Sequence, residues 1–65
     1  MDRIEIQYLL RRKGLTQKDI AREVGMSEAF VSQVISGARR NERIQDLIAD
    51  KIGRERTELF PVKAA

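Results

Sequence analysis

Apolar residues recur every three or four positions along most of the chain, which is the spacing of helices that bury one face. The first apolar stripe contains Ile6, Leu9 and Leu10 and is widened by Ile4 and Tyr8. Asp2 precedes it, and aspartate is a favoured N-cap because its carboxylate accepts a hydrogen bond from a free backbone amide. We therefore predict a first helix from Asp2 to about Lys13, ended by Gly14.

A second helix is predicted to begin at Thr16. The four residues from Thr16 to Asp19 resemble a capping box, in which the hydroxyl accepts from the backbone and the acidic side chain reaches back to the cap. The inward residues of this helix would be Ile20, Ala21 and Val24. Gly25 is expected to end it, because glycine adopts the left-handed conformation without strain.

A third helix is predicted from Ser27, as its N-cap, to Ser36, and Gly37 ends it. At about 100° per residue its side chains fall on two opposed arcs. The apolar arc contains Phe30, Val31 and Val34, with Ile35 on its flank. The other arc contains Glu28, Ala29, Ser32, Gln33 and Ser36. Because this second arc is narrow and chemically varied, we interpret residues 27–36 as a DNA-reading helix.

A fourth helix is predicted to begin at Asn41 or Glu42 and to end at Gly53. Its inward side chains would be Ile44, Leu47, Ile48 and Ile52. Residues 54–60 can add a short helical turn before Pro61, which blocks continuation. Residues 61–65 are expected to fray.

The chain has 65 residues, which suffice for one small domain but not for a second core. We therefore expect a single domain over residues 1–65. Cysteine and histidine are absent, which excludes disulfides, thiolate nucleophiles and the usual zinc ligand sets. No carboxylate is paired with a plausible acid, nucleophile or metal cage, so we expect no catalytic residues, metal, cofactor or small-molecule ligand.

The sequence contains no run of about 18 apolar residues and no basic-then-apolar leader. Membrane insertion and secretion are therefore not expected. We predict a cytoplasmic, nucleoid-associated protein.

Thirteen Lys and Arg residues against ten Asp and Glu residues give a net charge of +3. Much of the positive charge lies in two clusters, which are Arg11, Arg12 and Lys13, and then Arg39, Arg40 and Arg43. Two basic clusters that flank a nearly neutral helix suit a polyanion that is held at its edges and read in the middle. The alternative is that each cluster is an ordinary solvated loop end.

Residues 14–37, GLTQKDIAREVGMSEAFVSQVISG, combine Thr-Gln after a glycine, an alanine one turn into a helix, Gly-x-Ser and a second helix that ends in glycine. With the basic loop that follows, this pattern resembles the helix-turn-helix domains of the Cro/CI-type (XRE) repressors of phages and bacteria, over about residues 4–60. The resemblance implies an all-α, lambda-repressor-like bundle of four to five helices. It also implies that the second helix crosses the DNA backbone and that the third enters the major groove.

The resemblance places four residues at base-facing positions of the third helix, namely Glu28, Ala29, Ser32 and Gln33. Gln33 can bond adenine through N6 and N7, Ala29 can touch a thymine methyl, and Ser32 is permissive. Glu28 can accept from cytosine N4. The alternative for Glu28 is that it only stabilises the start of the helix through the macrodipole.

The resemblance also implies contacts with DNA phosphates from Gln17, Ser27, Arg11, Arg39, Arg40 and Arg43. Such contacts raise affinity and its salt dependence but carry little sequence information. Arg43 can also reach toward the minor groove. Ser27 is expected to combine a phosphate contact with its capping role, and the alternative for Gln17 is an ordinary solvated side chain.

Two features depart from the family's usual pattern. Leu10 and Ile35 stand where many members carry an arginine–glutamate ion pair between the first and third helices. Because an apolar pair can replace a buried ion pair without loss of stability, we predict that these two side chains are in contact. Glu42 stands in place of the usual proline before the fourth helix.

These features favour a transcriptional regulator, in particular a phage- or prophage-type repressor that binds a two-fold DNA operator as a homodimer. Leu59 and Phe60 are the predicted dimer contacts, and the alternative for both is a lid over the core. Two other functions suit this fold. One is the antitoxin of a toxin–antitoxin pair, and the other is an adaptor that binds proteins without reading DNA.

Overall fold

The computed structural model describes residues 1–61 and contains five helices and no strand in that range. The helices are α1 (Arg3–Arg12), α2 (Gln17–Val24), α3 (Glu28–Ser36), α4 (Glu42–Ile52) and α5 (Arg56–Leu59). The predicted all-α bundle of four to five helices is therefore confirmed. Of the tail expected to fray, residues 62–65 lie outside the described range.

Each of the first four helices begins after a residue whose side chain accepts a backbone hydrogen bond. These residues are Asp2, Thr16, Ser27 and Asn41. The predicted capping box of α2 is confirmed, since the Asp19 amide donates to the Thr16 hydroxyl at 3.3 Å and the Thr16 amide donates to the Asp19 carboxylate at 2.9 Å. Because each of these bonds spans only three residues, the local sequence determines where the helices start.

The turn between α2 and α3 depends on Gly25, whose φ of 72° and ψ of 32° lie in the left-handed region. Side chains other than glycine are strained in this conformation. The amides of Gly25 and Met26 both donate to the carbonyl of Ala21, the latter at 3.0 Å. These bonds end α2 and direct the chain into α3 after three residues.

The buried apolar side chains form one cluster to which all five helices contribute. Its members are Ile6, Leu10, Ile20, Ala21, Val31, Val34, Ile35, Ile44, Ile48, Ala49, Ile52 and Leu59. The central helix is α4, which packs against each of the other four helices. Leu10 and Ile35 both belong to the cluster and α1 packs against α3, as the predicted contact between these side chains requires.

The buried stripe of α1 is narrower than predicted. Ile4 and Tyr8 are 71% and 59% exposed, so their assignment to the stripe is wrong. Each lies two positions from the fully buried Ile6, and two positions on a helix amount to about 200°. They therefore project from the side of α1 that faces away from the core. The Arg12 guanidinium lies over the Tyr8 ring, 5.9 Å from its centroid.

The short helix α5 is held against α4 by ion pairs and by Leu59. Arg56 lies 3.0 Å from the Glu42 carboxylate and 3.3 Å from that of Asp46. Nearby, the Met1 ammonium donates to the Leu59 carbonyl at 3.5 Å. The start of the chain and α5 therefore meet at one end of the bundle.

Candidate nucleic-acid interface

Helices α2 and α3 pack against each other across the Gly25 turn and form the helix-turn-helix. Ile20 and Ala21 of α2 and Val31 of α3 are buried between these helices and the rest of the core. The small side chain of Ala21 lets a neighbouring helix approach closely. One side of α3 is thereby fixed to the core, and its opposite side is left to face solvent.

The faces of α3 divide as the two arcs predict. Its exposed residues are Glu28, Ala29, Gln33 and Ser36, and Ser32 is half-buried. On the other side, Val31, Val34 and Ile35 are buried. Phe30 is intermediate, since it packs against the core but remains half-buried. The division into a buried and an exposed face is confirmed, and the base contacts themselves stay a prediction.

Ser27 is positioned for both of its predicted roles. Its hydroxyl oxygen accepts a hydrogen bond from the Phe30 amide at 3.1 Å, which caps α3. A hydroxyl also has a proton to donate, and this capping bond does not use it. Because Ser27 is exposed, that proton can reach a phosphate oxygen at the start of the helix.

Arg11, Gln17 and Glu28 line one surface groove at the start of α3. Two of the predicted phosphate contacts and one predicted base contact are thus brought together. Within residues 1–61, Glu28 takes part in none of the ion pairs. A free carboxylate in this position repels the DNA backbone unless it accepts a hydrogen bond from a base.

At the other end of α3, the loop turns back along the helix and brings Arg39 to Gln33. The Arg39 amide donates to the Gln33 carbonyl at 3.1 Å, and Nε of the guanidinium donates to Gln33 Oε1 at 2.6 Å. The guanidinium carbon lies 5.5 Å from the centre of the Phe30 ring. These contacts join a predicted base-facing residue to a predicted phosphate contact.

Phe30 is a part of this surface that the sequence pattern assigns to the core alone. Its ring packs against the core with one part and lies under the Arg39 guanidinium with another. Gly37, at a φ of 88°, reverses the chain so that the loop can return to this ring. An aromatic residue at the border of the apolar arc, followed by a basic loop, is a signal that could have identified the contact.

Arg40, in the loop after α3, and Arg43, in the first turn of α4, are both exposed. Arg40 lies 3.7 Å from the Glu42 carboxylate, which also binds Arg56 at 3.0 Å. A surface ion pair of this kind contributes little, so Arg40 can exchange it for a phosphate. Arg43 takes part in no ion pair within residues 1–61. The loop and the start of α4 therefore present positive charge to solvent.

The two predicted dimer contacts differ in accessibility. Leu59 is 1% exposed and belongs to the core, so the alternative of a core lid describes its position. Phe60 is half-buried and offers part of its ring to solvent. A partner subunit would therefore meet Phe60 rather than Leu59, and the dimer itself stays a prediction.

Comparison with models of protein families matches residues 1–63 to the winged helix-turn-helix DNA-binding family. The match covers nearly the whole chain, and the chain belongs to this family. Comparisons with curated proteins and with solved structures find no match. The helix-turn-helix DNA-binding class that the sequence resemblance implied is confirmed, and the Cro/CI type within it stays a prediction.

Within residues 1–61 the helix-turn-helix has no β-strand beside it that could form a wing. The predicted base and phosphate contacts therefore all lie on helices or on the turns and loops between them. None of the helices in the described range is long and apolar enough to cross a membrane.

Proposed function

We propose that this member of a DNA-binding family is a sequence-specific transcriptional regulator that inserts α3 into the major groove of double-stranded DNA. The observation that carries the proposal is the exposed polar face of α3, which projects from a helix fixed to the core by its other side. The major groove is about 12 Å wide and admits a helix of this kind.

In this arrangement the base-facing residues of α3 form two groups that differ in the length of their side chains. Ala29 and Ser32 have short side chains, so base edges can approach the helix closely at these positions, and Ala29 suits a thymine methyl. Glu28 and Gln33 are longer and reach bases further from the helix axis. Glu28 accepts from cytosine N4, which offsets the repulsion between its carboxylate and the phosphates.

The phosphate contacts lie at both ends of α3. Arg11, Gln17 and Ser27 hold the backbone near its start. Arg39 and Arg40 of the following loop and Arg43 in the first turn of α4 hold it near its end. Each phosphate that is neutralised releases counterions, which adds about −0.9 to the slope of log affinity against log salt. A steep salt dependence is therefore expected.

A single helix-turn-helix reads few base pairs, so we propose a homodimer on a two-fold operator with half-sites about 34 Å apart. Phe60 supplies the accessible part of the subunit contact, with Leu59 supporting it from the core. The regulator is proposed to be a Cro/CI-type repressor of phage or prophage origin that acts on DNA in the cytoplasm.

The test combines an affinity measurement with site selection. Fluorescence anisotropy with a random-sequence duplex from about 50 to about 200 mM salt should show a steep loss of affinity. Selection from a random DNA pool should converge on a two-fold site. Arg54→Ala is the control for the loss of one positive charge. Its affinity should stay close to that of the wild-type protein, since Arg54 is paired with Glu58 and lies outside the proposed interface. A wild-type protein that binds no duplex in a salt-dependent way would refute the proposal.

An adaptor that binds proteins with the same fold is the alternative, and the unpaired charge of Glu28 on the exposed face of α3 favours it. An antitoxin would combine both properties, with DNA on α3 and a toxin on another surface such as the exposed Ile4 and Tyr8 of α1. Failure to bind DNA favours the adaptor. DNA binding together with a co-purifying toxin identifies the antitoxin.

A further inference from the structure

We propose that Arg39 and Gln33 form one reading unit that selects a guanine, in which Arg39 contacts the base and Gln33 positions Arg39. This inference rests on the proposed function and deepens it. It gives Arg39 a role in specificity in place of a phosphate contact, and it replaces the adenine contact predicted for Gln33.

Arg39 is already held in place in the free protein. Its amide donates to the Gln33 carbonyl at 3.1 Å, its Nε donates to Gln33 Oε1 at 2.6 Å, and its guanidinium lies 5.5 Å from the centre of the Phe30 ring. By contrast, Arg40 of the same loop makes one ion pair of 3.7 Å with an exposed carboxylate. A long side chain that is held before binding loses less freedom when it meets a base.

The polar groups of the pair are mostly donors. A guanidinium has five N–H donors and no acceptor, so the Gln33 amide must turn its oxygen toward it. Within residues 1–61 the N–H groups of both Nη atoms of Arg39 make no hydrogen bond or ion pair. Gln33 offers the donors of its Nε2 group. Apart from the second lone pair of Gln33 Oε1, the unit therefore presents donors to the groove.

Guanine is the base that fits such a set of donors. Its major-groove edge has two neighbouring acceptors, O6 and N7, which an arginine binds with two hydrogen bonds. Adenine instead pairs one acceptor with one donor, the N6 amino group. To read adenine, Gln33 would have to accept from that amino group with the second lone pair of the oxygen that already accepts from Arg39, and the free Nη donors of Arg39 would be left without a second acceptor.

The unit lies at the edge of the exposed face of α3. Phe30 and Gln33 are three positions apart, so they are neighbours on successive turns and both contact the guanidinium. Gln33 is also four positions from the exposed Ala29, which makes these two residues neighbours on the helix surface. Arg39 thus supplies a long donor group next to a position whose own side chain cannot reach far into the groove.

The experiment is site selection from a random DNA pool with four variants. Arg39→Ala and Gln33→Ala should both lose the preference for guanine at one and the same position of each half-site. Gln33→Glu keeps an accepting oxygen for Arg39 and should retain that preference. Arg40→Ala removes the same charge from the same loop and should lower affinity while leaving every base preference in place. Circular dichroism confirms that each variant is folded.

One bidentate contact between Arg39 and the guanine sets how much affinity should be lost when that base is replaced. Replacing the selected guanine should lower wild-type affinity by about 5- to 150-fold, which corresponds to about 1–3 kcal/mol. Substituting 7-deazaguanine, which lacks the N7 acceptor, should lower wild-type affinity several-fold and leave that of Arg39→Ala unchanged. Loss of a merely structural contact would not produce this dependence on one base atom.

Two results would overturn the proposal that Arg39 and Gln33 act as one unit, even though the protein binds DNA. In one, Arg39→Ala weakens binding equally on all sequences, which makes Arg39 a phosphate contact. In the other, Arg39→Ala and Gln33→Ala relax preferences at different base pairs, which makes them independent readers. If the wild-type protein binds no duplex at all, the proposed function fails, and the inference fails with it.

Discussion

Exchanging the apolar pair of α1 and α3 for an ion pair tests how α3 is held to the core. Leu10 and Ile35 are 1% and 3% exposed. Either Leu10→Arg or Ile35→Glu alone therefore places a charge without a partner among apolar side chains. Leaving one charge of a buried pair uncompensated typically costs about 3–5 kcal/mol.

That cost is large for a domain of this size. At roughly 0.05–0.15 kcal/mol per residue, 65 residues give a total stability of about 3–10 kcal/mol. Each single variant is therefore expected to lose between about a third and all of this stability. If the two side chains are in contact, the double variant brings arginine and glutamate together and recovers stability, by up to about 3 kcal/mol relative to the sum of the single changes.

Thermal and urea unfolding followed by circular dichroism measures this recovery. The matched control is Leu10→Arg combined with Ile4→Glu, because Ile4 projects from the opposite side of α1 and its glutamate cannot reach the core. The control pair should be no more stable than Leu10→Arg alone. The reasoning is refuted if Leu10→Arg with Ile35→Glu also unfolds at the temperature of Leu10→Arg alone.

Four further outcomes are expected. Thr16→Ala removes the hydroxyl of the capping box and should lower the free energy of unfolding by about 1 kcal/mol in urea titrations; an unchanged midpoint would contradict the cap. The Thr16 amide donates to the Asp19 carboxylate and holds the pKa of Asp19 below its ordinary value of 3.8. The contribution of this ionised carboxylate to folding stability is therefore fully present above pH 3.8 and is lost as the pH falls through the folded-state pKa. Asp19→Asn should make unfolding midpoints less sensitive to acid, and an identical pH profile would argue against this linkage. Arg43→Ala should weaken binding evenly on all duplexes and reduce the salt slope by about 1, measured by anisotropy, whereas a change confined to one sequence would make Arg43 a base reader. Ile4→Ser should change the stability by less than about 0.5 kcal/mol, and a larger loss would place Ile4 in the core.

The features that the sequence predicted well are those made by neighbouring residues. The capping box of Thr16 and Asp19 closes within four residues, and the left-handed turn at Gly25 depends on that residue alone. Such signals need no knowledge of the rest of the fold. The two arcs of α3 were also predictable, because a helix assigns its faces by angle and the apolar side must meet the core.

The predictions that failed or stayed open required knowledge of packing. Apolar character alone placed Ile4 and Tyr8 on the buried stripe of α1, although their angle from Ile6 points them to solvent. Leu59 and Phe60 are adjacent and both apolar, so composition could not decide which of them belongs to the core. Only the way in which α5 packs on α4 separates the two.

The contact between Gln33 and Arg39 was also not predictable from the sequence, and the reason is different. It joins a helix to the loop beyond Gly37, and the path of a loop is not fixed by periodicity. A residue-by-residue resemblance assigned the two side chains to separate roles, one to bases and one to phosphates. The 2.6 Å hydrogen bond means that a change in either one alters the surroundings of the other.

Phe30 connects the exposed face of α3 to the core. The exposed residues of α3 can be replaced without opening a cavity in the core, because none of them belongs to the buried cluster, whereas Val31 and Val34 cannot. Phe30 belongs to both groups, since part of its ring packs against the core and part lies under the Arg39 guanidinium. An aliphatic residue could preserve the packing but would remove the aromatic face beneath the cation. The choice of an aromatic residue at this position is therefore explained by Arg39 rather than by the fold.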